Sequence, residues 1–292
     1  MKILLLASGG DSPGMNAFLA KIYNSFNKED VFCCIEGYKG LIENNIIPMY
    51  QVDPNAHKFE AGSMVYSSRS KEFQTQEGFA KGLANLSDFD VLVVLGGNGS
   101  CEGAKRIMNA GVNVIFAPGT IDNDVDGTEY SIGFDTAVKE CVYAIENTMP
   151  SMNSFSRTCI FEVMGRHSSE IAKETANRCN VDYLICEESD LDYDKIAKII
   201  TDRYNQRKGT TIVIRENILD IKEVIVNINK NLYIGDVIRS HIVGHVQRGG
   251  KPTQREIDMA EGFASLAVES IKNKQYNVGI YYQNGQFVAK KI

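Results

Sequence analysis

The sequence contains no tryptophan and only six prolines in 292 residues, so there is no tryptophan fluorescence to follow. It has no Cys-x-x-Cys pair and no His/Cys spacing of the kind that holds structural zinc. It lacks a basic excess: 31 Lys and Arg against 37 Asp and Glu give a net charge of −6. That balance argues against coating a nucleic acid or binding an anionic membrane surface, though a local basic pocket for an anionic metabolite stays open. No apolar run approaches the roughly 18–20 residues that span a bilayer. Met1–Ala7 is apolar but gives way at once to Ser8-Gly9-Gly10-Asp11, too short for a signal-peptide core. A cytoplasmic protein is the expectation. Low-complexity linkers, long charge blocks and internal repeats are also missing.

What is present is ordinary globular composition, 43% hydrophobic and 23% charged. The length suits one large or two ordinary domains, with enough chain to bury real cores. Seven cysteines, an odd number, sit mostly in apolar runs such as Val31-Phe32-Cys33-Cys34-Ile35, and read as reduced, buried thiols.

Short apolar runs bounded by Gly, Asn, Asp or Pro predict strands at 2–7, 31–36, 90–95, 112–117, 158–163, 181–186, 210–215 and 238–244. Between them, helical periodicity covers 134–148, 193–207 and 254–273. Ala137, Cys141, Ala144 and Ile145 mark one face of the first. Alternation of this kind predicts an α/β chain of two doubly wound domains with parallel-rich sheets.

In such sheets ligands bind beyond the carboxyl ends of the strands. Three of those ends carry unusual loops: Ser8-Gly9-Gly10-Asp11-Ser12-Pro13-Gly14-Met15-Asn16, Gly96-Gly97-Asn98-Gly99-Ser100 and Pro118-Gly119-Thr120-Ile121-Asp122-Asn123-Asp124. Glycines let backbone N–H groups approach an anion, and a following helix adds its N-terminal donors. The first two loops read as phosphate cradles, although neither is a Walker A loop or a GxGxxG fingerprint. One such loop alone is equally an ordinary tight turn. Asp122 and Asp124 offer a carboxylate to take an acceptor proton and another to support Mg²⁺, or else a solvated Asx turn. Arg157, Arg166, Arg239, His245 and Arg248 lie beside strand ends or glycines, and arginine forks match phosphate geometry. Together these residues point to phosphoryl transfer on a phosphorylated small molecule. His57, His167 and His241 fall in no useful pattern.

The first and third loops, with Glu162-Val163-Met164-Gly165-Arg166 and Gly244-His245-Val246-Gln247-Arg248-Gly249-Gly250, resemble the ATP-dependent 6-phosphofructokinase family in order and spacing, from residue 1 to about 290. The resemblance implies a larger ATP-binding domain over 1–133 plus 247–292, a smaller sugar-phosphate domain over 134–246, and an active site in the cleft between them. It implies ATP and Mg²⁺, fructose 6-phosphate as substrate, and a homotetramer with no nucleic acid or membrane partner. Gly10, Arg69, Ser70, Gly97, Asn98, Gly99 and Ser100 would bind ATP. Asp122 would be the general base, with Thr120, Asp124, Arg69 and Arg166 as the other catalytic residues. Thr120, Asp122, Met164, Gly165, Arg166, Glu216, His245 and Arg248 would hold the sugar phosphate, and Arg157 and Arg239 would serve a neighbouring subunit's site.

Diphosphate-using relatives often carry Asp and Lys where this chain has Gly99 and Gly119, so the residues favour ATP. Three positions depart from the family pattern. Asn98 stands where the family has a metal-linked Asp, so the metal falls to ATP, water and Asp124, or the chain is a weakened or non-catalytic paralogue that binds sugar phosphate or nucleotide. Ala20 and Asn24, with Gln51 nearby, stand where bacterial relatives place effector-binding arginines. Arg203, Arg207 and Lys208 are the replacements the sequence offers. The chain also stops at Ile292, where the family usually continues into another helix.

Overall fold

The computed structural model describes every residue except Asp236. In chain order its strands are β1 (Ile3–Ser8), β2 (Val31–Cys34), β3 (Ile46–Pro48), β4 (Val91–Gly96), β5 (Val114–Pro118), β6 (Thr158–Val163), β7 (Tyr183–Ile185), β8 (Thr210–Arg215), β9 (Ile238–Ile242), β10 (Val278–Gln283) and β11 (Gln286–Lys291). The chain divides into two compact units, Met1–Thr136 with Arg248–Ile292, and Ala137–Gln247.

The first unit is built on a seven-stranded sheet in the order β11-β10-β5-β4-β1-β2-β3. β1, β4 and β5 are parallel neighbours with Ser8 opposite Gly96 and Gly96 opposite Pro118. Their side chains alternate between two cores, as the two-residue period of a strand requires. Ile3, Leu5, Ala7, Val93 and Leu95 pack with Phe18 and Phe263 on one face. Leu4, Leu6, Leu92, Val94 and Phe116 pack with Leu41, Ala104 and Ile107 on the other. Continuous apolar runs follow, because both faces are covered by helices.

The second unit holds a four-stranded parallel sheet, β7-β8-β6-β9. One of its faces is an isoleucine-rich core, where Ile160, Ile185, Ile212 and Ile214 meet Ile196, Ile200, Val224 and Ile228.

The predicted strands 158–163 and 210–215 agree with β6 and β8 at both ends. The run 31–36 stops at Cys34 because Glu36 and Gly37 turn into left-handed backbone, φ 63° and 58°. The run 238–244 ends at Ile242, ahead of Gly244 at φ 61°. The helix expected over 134–148 continues to Ser154 and takes Pro150 inside it, although proline costs an interior hydrogen bond. β3, β10 and β11 went unread. The last two form a hairpin whose turn, Asn284-Gly285, has φ of 50° and 77°. Asn-Gly between apolar runs is a strong hairpin signal.

The seven cysteines are free thiols, five of them buried, as the composition suggests. Burial pushes the Cys33 and Cys159 thiols up to about 12, so they stay protonated and unreactive. No helix among the described residues is long and apolar enough to cross a membrane.

Candidate functional site

In the first unit the three unusual loops leave adjacent strands at one end of the sheet. Chain direction reverses its progress between β1 and β4, since β2 lies on one side of β1 and β4 on the other. This is the switch point at which open α/β sheets bind ligands. Side chains and backbone stitch the loops together. The Gly119 N–H donates to the Gly96 carbonyl at 2.9 Å, and the Ser100 hydroxyl donates to the Ser8 carbonyl at 2.9 Å. Only glycine fits at 96, where a Cβ would lie 2.4 Å from both the Ser100 Oγ and the Ser8 carbonyl.

The acidic turn sits directly beside the second loop. A Cβ at Gly97 would meet the Thr120 side chain at 3.6 Å. Asn98 Nδ2 donates to the Asp124 carbonyl at 2.9 Å. The Asp122 N–H donates to Thr120 Oγ1 at 3.2 Å. Asn123, in left-handed backbone at φ 48°, accepts on Oδ1 from the Ser131 N–H at 2.7 Å. Thr120 and Asp122 are half-buried, and Asn98, Gly99 and Asp124 are exposed.

Arg69 is brought to the same end. The Gly9 N–H donates to the Ser68 carbonyl at 3.1 Å, and the Ser67 hydroxyl donates back to the Gly9 carbonyl at 3.0 Å. Arg69 itself is exposed. Ser70 accepts from the Phe73 N–H at 3.1 Å, starting the turn that follows. Arg248, which the sequence grouped with sugar-phosphate residues, belongs to this unit. Its Nη1 donates to the Asp11 carbonyl at 2.9 Å, and a Cβ on Gly10 would be 2.4 Å from that nitrogen.

In the second unit the carboxyl ends of β6, β8 and β9 carry Met164–Arg166, Glu216 and Gly244–His245. Glu216 Oε1 accepts from the N–H groups of Gly165 at 3.2 Å and Arg166 at 2.8 Å. That carboxylate holds the turn in an unusual shape, with Gly165 at φ 144° and Arg166 at φ 55°. Gln247, fully buried, ties the same turn to the next one. Its Oε1 accepts from the Met164 N–H at 3.1 Å and its Nε2 donates to the Gly244 carbonyl at 2.9 Å. The result is a tied set of turns at one end of the sheet that carries Arg166 and His245 beside the Glu216 carboxylate.

Arg157 and Arg239 are not part of that set. Arg157 precedes β6, with its guanidinium 4.7 Å over the Phe155 ring. Arg239 lies opposite Cys159, near the amino end of the same strand. Arg203 is committed to the Gly209 carbonyl and Asp182. Ala20 is buried in the helix Met15–Tyr23, and Asn24 donates to Asn55.

Sequence reasoning missed Glu256. It lies in the helix Gln254–Lys272 with none of its surface exposed. Its carboxylate accepts from the Gly133 N–H at 2.7 Å, the Tyr130 hydroxyl at 3.0 Å, and the Thr136 N–H and hydroxyl at 3.1 Å each. Thr253-x-x-Glu256 follows the capping-box pattern and flags a helix start, but not a carboxylate serving residues over a hundred positions away.

Burial pushes Glu256 up to about 7, against the pull of its four donors. Asp135, Tyr130 and Arg255, whose guanidinium lies 5.7 Å over the Tyr130 ring, are the ionisable groups around it. A carboxyl raised in the folded state stabilises the fold fully below its unfolded value of 4.5, and that contribution is lost as pH rises towards 7. Thermal melts of Glu256→Gln and the parent from pH 5 to 8 should therefore show the difference moving in favour of the variant as pH rises. A difference independent of pH would place the titration elsewhere.

No group of three or more His, Cys, Asp or Glu side chains is arranged for a metal ion among the described residues. Asn98 and Asp124 do fit a metal bound mainly through a nucleotide, because Mg²⁺ commonly takes one or two carboxylates plus phosphate oxygens and water.

Comparison with known proteins identifies the family. The family described as Phosphofructokinase matches residues 2–271. An ATP-dependent 6-phosphofructokinase of Lactococcus lactis subsp. lactis (strain IL1403) is 33% identical over 296 residues, covering 100% of this chain and 87% of the relative. One from Enterococcus faecalis (strain ATCC 700802 / V583) is 35% identical over 297 residues, covering 100% and 92%. The solved phosphofructokinase from Saccharomyces cerevisiae superposes with a TM-score of 0.88 at 26% identity, over 99% of this chain but 44% of the yeast chain. With the family matched across almost the whole sequence, this chain belongs to the phosphofructokinase family.

Proposed function

We propose that this chain transfers a phosphoryl group from ATP to the C1 hydroxyl of fructose 6-phosphate. The observation that carries this reading is the bonding of the acidic turn to the second glycine loop, Asn98 to Asp124 and Gly97 against Thr120. It sets a carboxylate beside a phosphate cradle, as transfer to a hydroxyl requires. In this reading Asp122 accepts the C1 proton as the oxygen–phosphorus bond forms and the bond to the β-phosphate oxygen breaks. Thr120 orients the turn, and Gly10, Ser70 and Gly97–Ser100 receive the nucleotide with Arg69 at the transferring group. Met164, Gly165, Arg166, Glu216, His245 and Arg248 hold the sugar phosphate. Mg²⁺, held by ATP and by Asp124 and Asn98, would offset phosphate charge.

Gly119 supports ATP over a smaller donor. A Cβ there would lie 2.8 Å from Leu95 Cδ1 and 3.1 Å from Met15 Cε, so a larger residue would have to push both side chains aside. Gly99 faces open space, leaving room for the rest of a nucleotide. The intact Thr120–Asp124 turn speaks against a purely binding paralogue. The proposed setting is a cytoplasmic homotetramer, with Arg157 and Arg239 contributed to a neighbour's site.

A coupled assay with ATP, Mg²⁺ and fructose 6-phosphate tests the reading. Formation of fructose 1,6-bisphosphate supports it, and turnover with diphosphate but not ATP overturns the donor assignment. Asn98 gives a finer test. Its nitrogen is engaged by the Asp124 carbonyl, so only its neutral oxygen would be left to a metal. Asn98→Asp should lower the Mg²⁺ concentration for half-maximal rate by roughly tenfold, equivalent to about 1.4 kcal/mol of added attraction. An unchanged requirement would remove residue 98 from the metal's surroundings.

A further inference from the structure

Glu256 lies outside every group assigned so far, yet the segment it grips is the support of the acidic turn. Residues Tyr130–Gly133 run back alongside that turn. The Ile132 N–H donates to the Pro118 carbonyl at 3.0 Å, and Gly119 pairs with Ile132 in an isolated parallel bridge. The Ser131 hydroxyl donates to the Thr120 carbonyl at 2.7 Å and to Asn123 Oδ1 at 3.2 Å. Ser131 thus brackets Asp122 from both sides in sequence. Glu256 holds this segment at both ends, through the Tyr130 hydroxyl and the Gly133 N–H. It also abuts the first loop, since a Cβ at Gly14 would be 2.9 Å from the Glu256 Cγ.

A helix start needs no buried carboxylate. Capping is met by small residues at the surface, as Thr253 caps the helix Gln254–Lys272. Burying a carboxylate is costly unless its bonds are all made. Here they are made, and half of them go to the support of the acidic turn.

We infer that Glu256 is a positioning residue for phosphoryl transfer, fixing the Thr120–Asp124 turn through Tyr130, Gly133 and Ser131. The inference rests on the kinase reading for its rate effect, but not for its structural effect. Glu256 touches neither substrate. Its loss should slow the chemical step and leave ground-state binding alone.

The test is a double-mutant cycle on the full chain with Glu256→Gln and Ser131→Ala. Each single variant is expected to lower kcat by about 10–100-fold, the scale of a misplacement of about 1 Å. The KM values for ATP and fructose 6-phosphate should stay within about twofold, since only transition-state interactions are disturbed. The double variant should be no slower than the slower single, because both act along one path. Losses that multiply, a kcat near the parent's, or KM rising in step with the fall in kcat would overturn the inference. If Glu256→Gln fails to fold, Thr136→Val removes one donor from the same carboxylate and enters the cycle with the same outcomes. Amide hydrogen exchange separates this inference from the kinase reading. Faster exchange at the Gly119 and Asp122 amides in Glu256→Gln, with Ser100 and Cys101 unchanged, supports the positioning role whatever the substrate. Unchanged exchange at 119 and 122 overturns it even if the parent is an active kinase.

Discussion

Asp122→Asn is expected to lower kcat by about 10²–10⁴-fold, the contribution of a positioned general base, while the KM for fructose 6-phosphate stays within about twofold. The substitution is nearly isosteric and leaves the backbone in place. The Asp122 N–H bond to Thr120 Oγ1, the Asn123 bond to Ser131 and the Asn98 bond to Asp124 all involve other atoms. With those bonds kept, the loss of the proton acceptor should fall on kcat. The experiment is a steady-state titration of both substrates on the purified variant, with a thermal melt to show that the fold is kept. A kcat within a few-fold of the parent would take the role of base from Asp122. A large rise in KM with kcat retained would make Asp122 a binding group.

Much of this site was legible in the sequence because its residues are local to strand ends. A continuous apolar run that breaks into glycines announces both the strand and its loop, and β1, β4 and β5 each did so. Their adjacency was not legible, since it depends on strand order and register. Nor were the buried polar hubs. Gln247 joins Met164 to Gly244, and Glu256 joins Tyr130, Gly133 and Thr136. The Glu256 carboxylate bonds all reach back more than a hundred residues, and Gln247 reaches Met164 from far along the chain, its local bond to Gly244 being no more than a turn contact. Glu216 was named from the family resemblance as a ligand to sugar phosphate. Its bonds to the Gly165 and Arg166 N–H groups show that the same carboxylate also shapes the turn. The hairpin of β10 and β11 was missed although Asn284-Gly285 signals it, because the runs beside it are short and interrupted by polar residues.

The arginines separate in a way that the sequence did not reveal, and the separation bears on assembly. Arg166 follows the carboxyl end of β6 and Arg157 precedes its amino end. Six strand residues lie between those ends, a span of roughly 20 Å at about 3.3 Å per residue. Arg239, opposite Cys159, is also at the amino end. Arg157 and Arg239 thus lie towards the opposite end of β6 from Arg166. The proposal that they serve a neighbouring subunit fits that placement. It leads to a complementation experiment with two variants that are each inactive for a different reason. Asp122→Asn lacks the base, and Arg157→Ala lacks a charged contact worth about 1.5–3 kcal/mol. When the two are unfolded together and reassembled, some sites pair an intact Asp122 with an intact Arg157 from the neighbour. In a random 1:1 mixture of a symmetric assembly these are roughly a quarter of all sites. Activity at subsaturating fructose 6-phosphate should rise well above that of either variant reassembled alone. Hybrids confirmed by mass spectrometry but no more active than the parents' mean would show that each chain supplies its own arginines, and the shared site would be wrong.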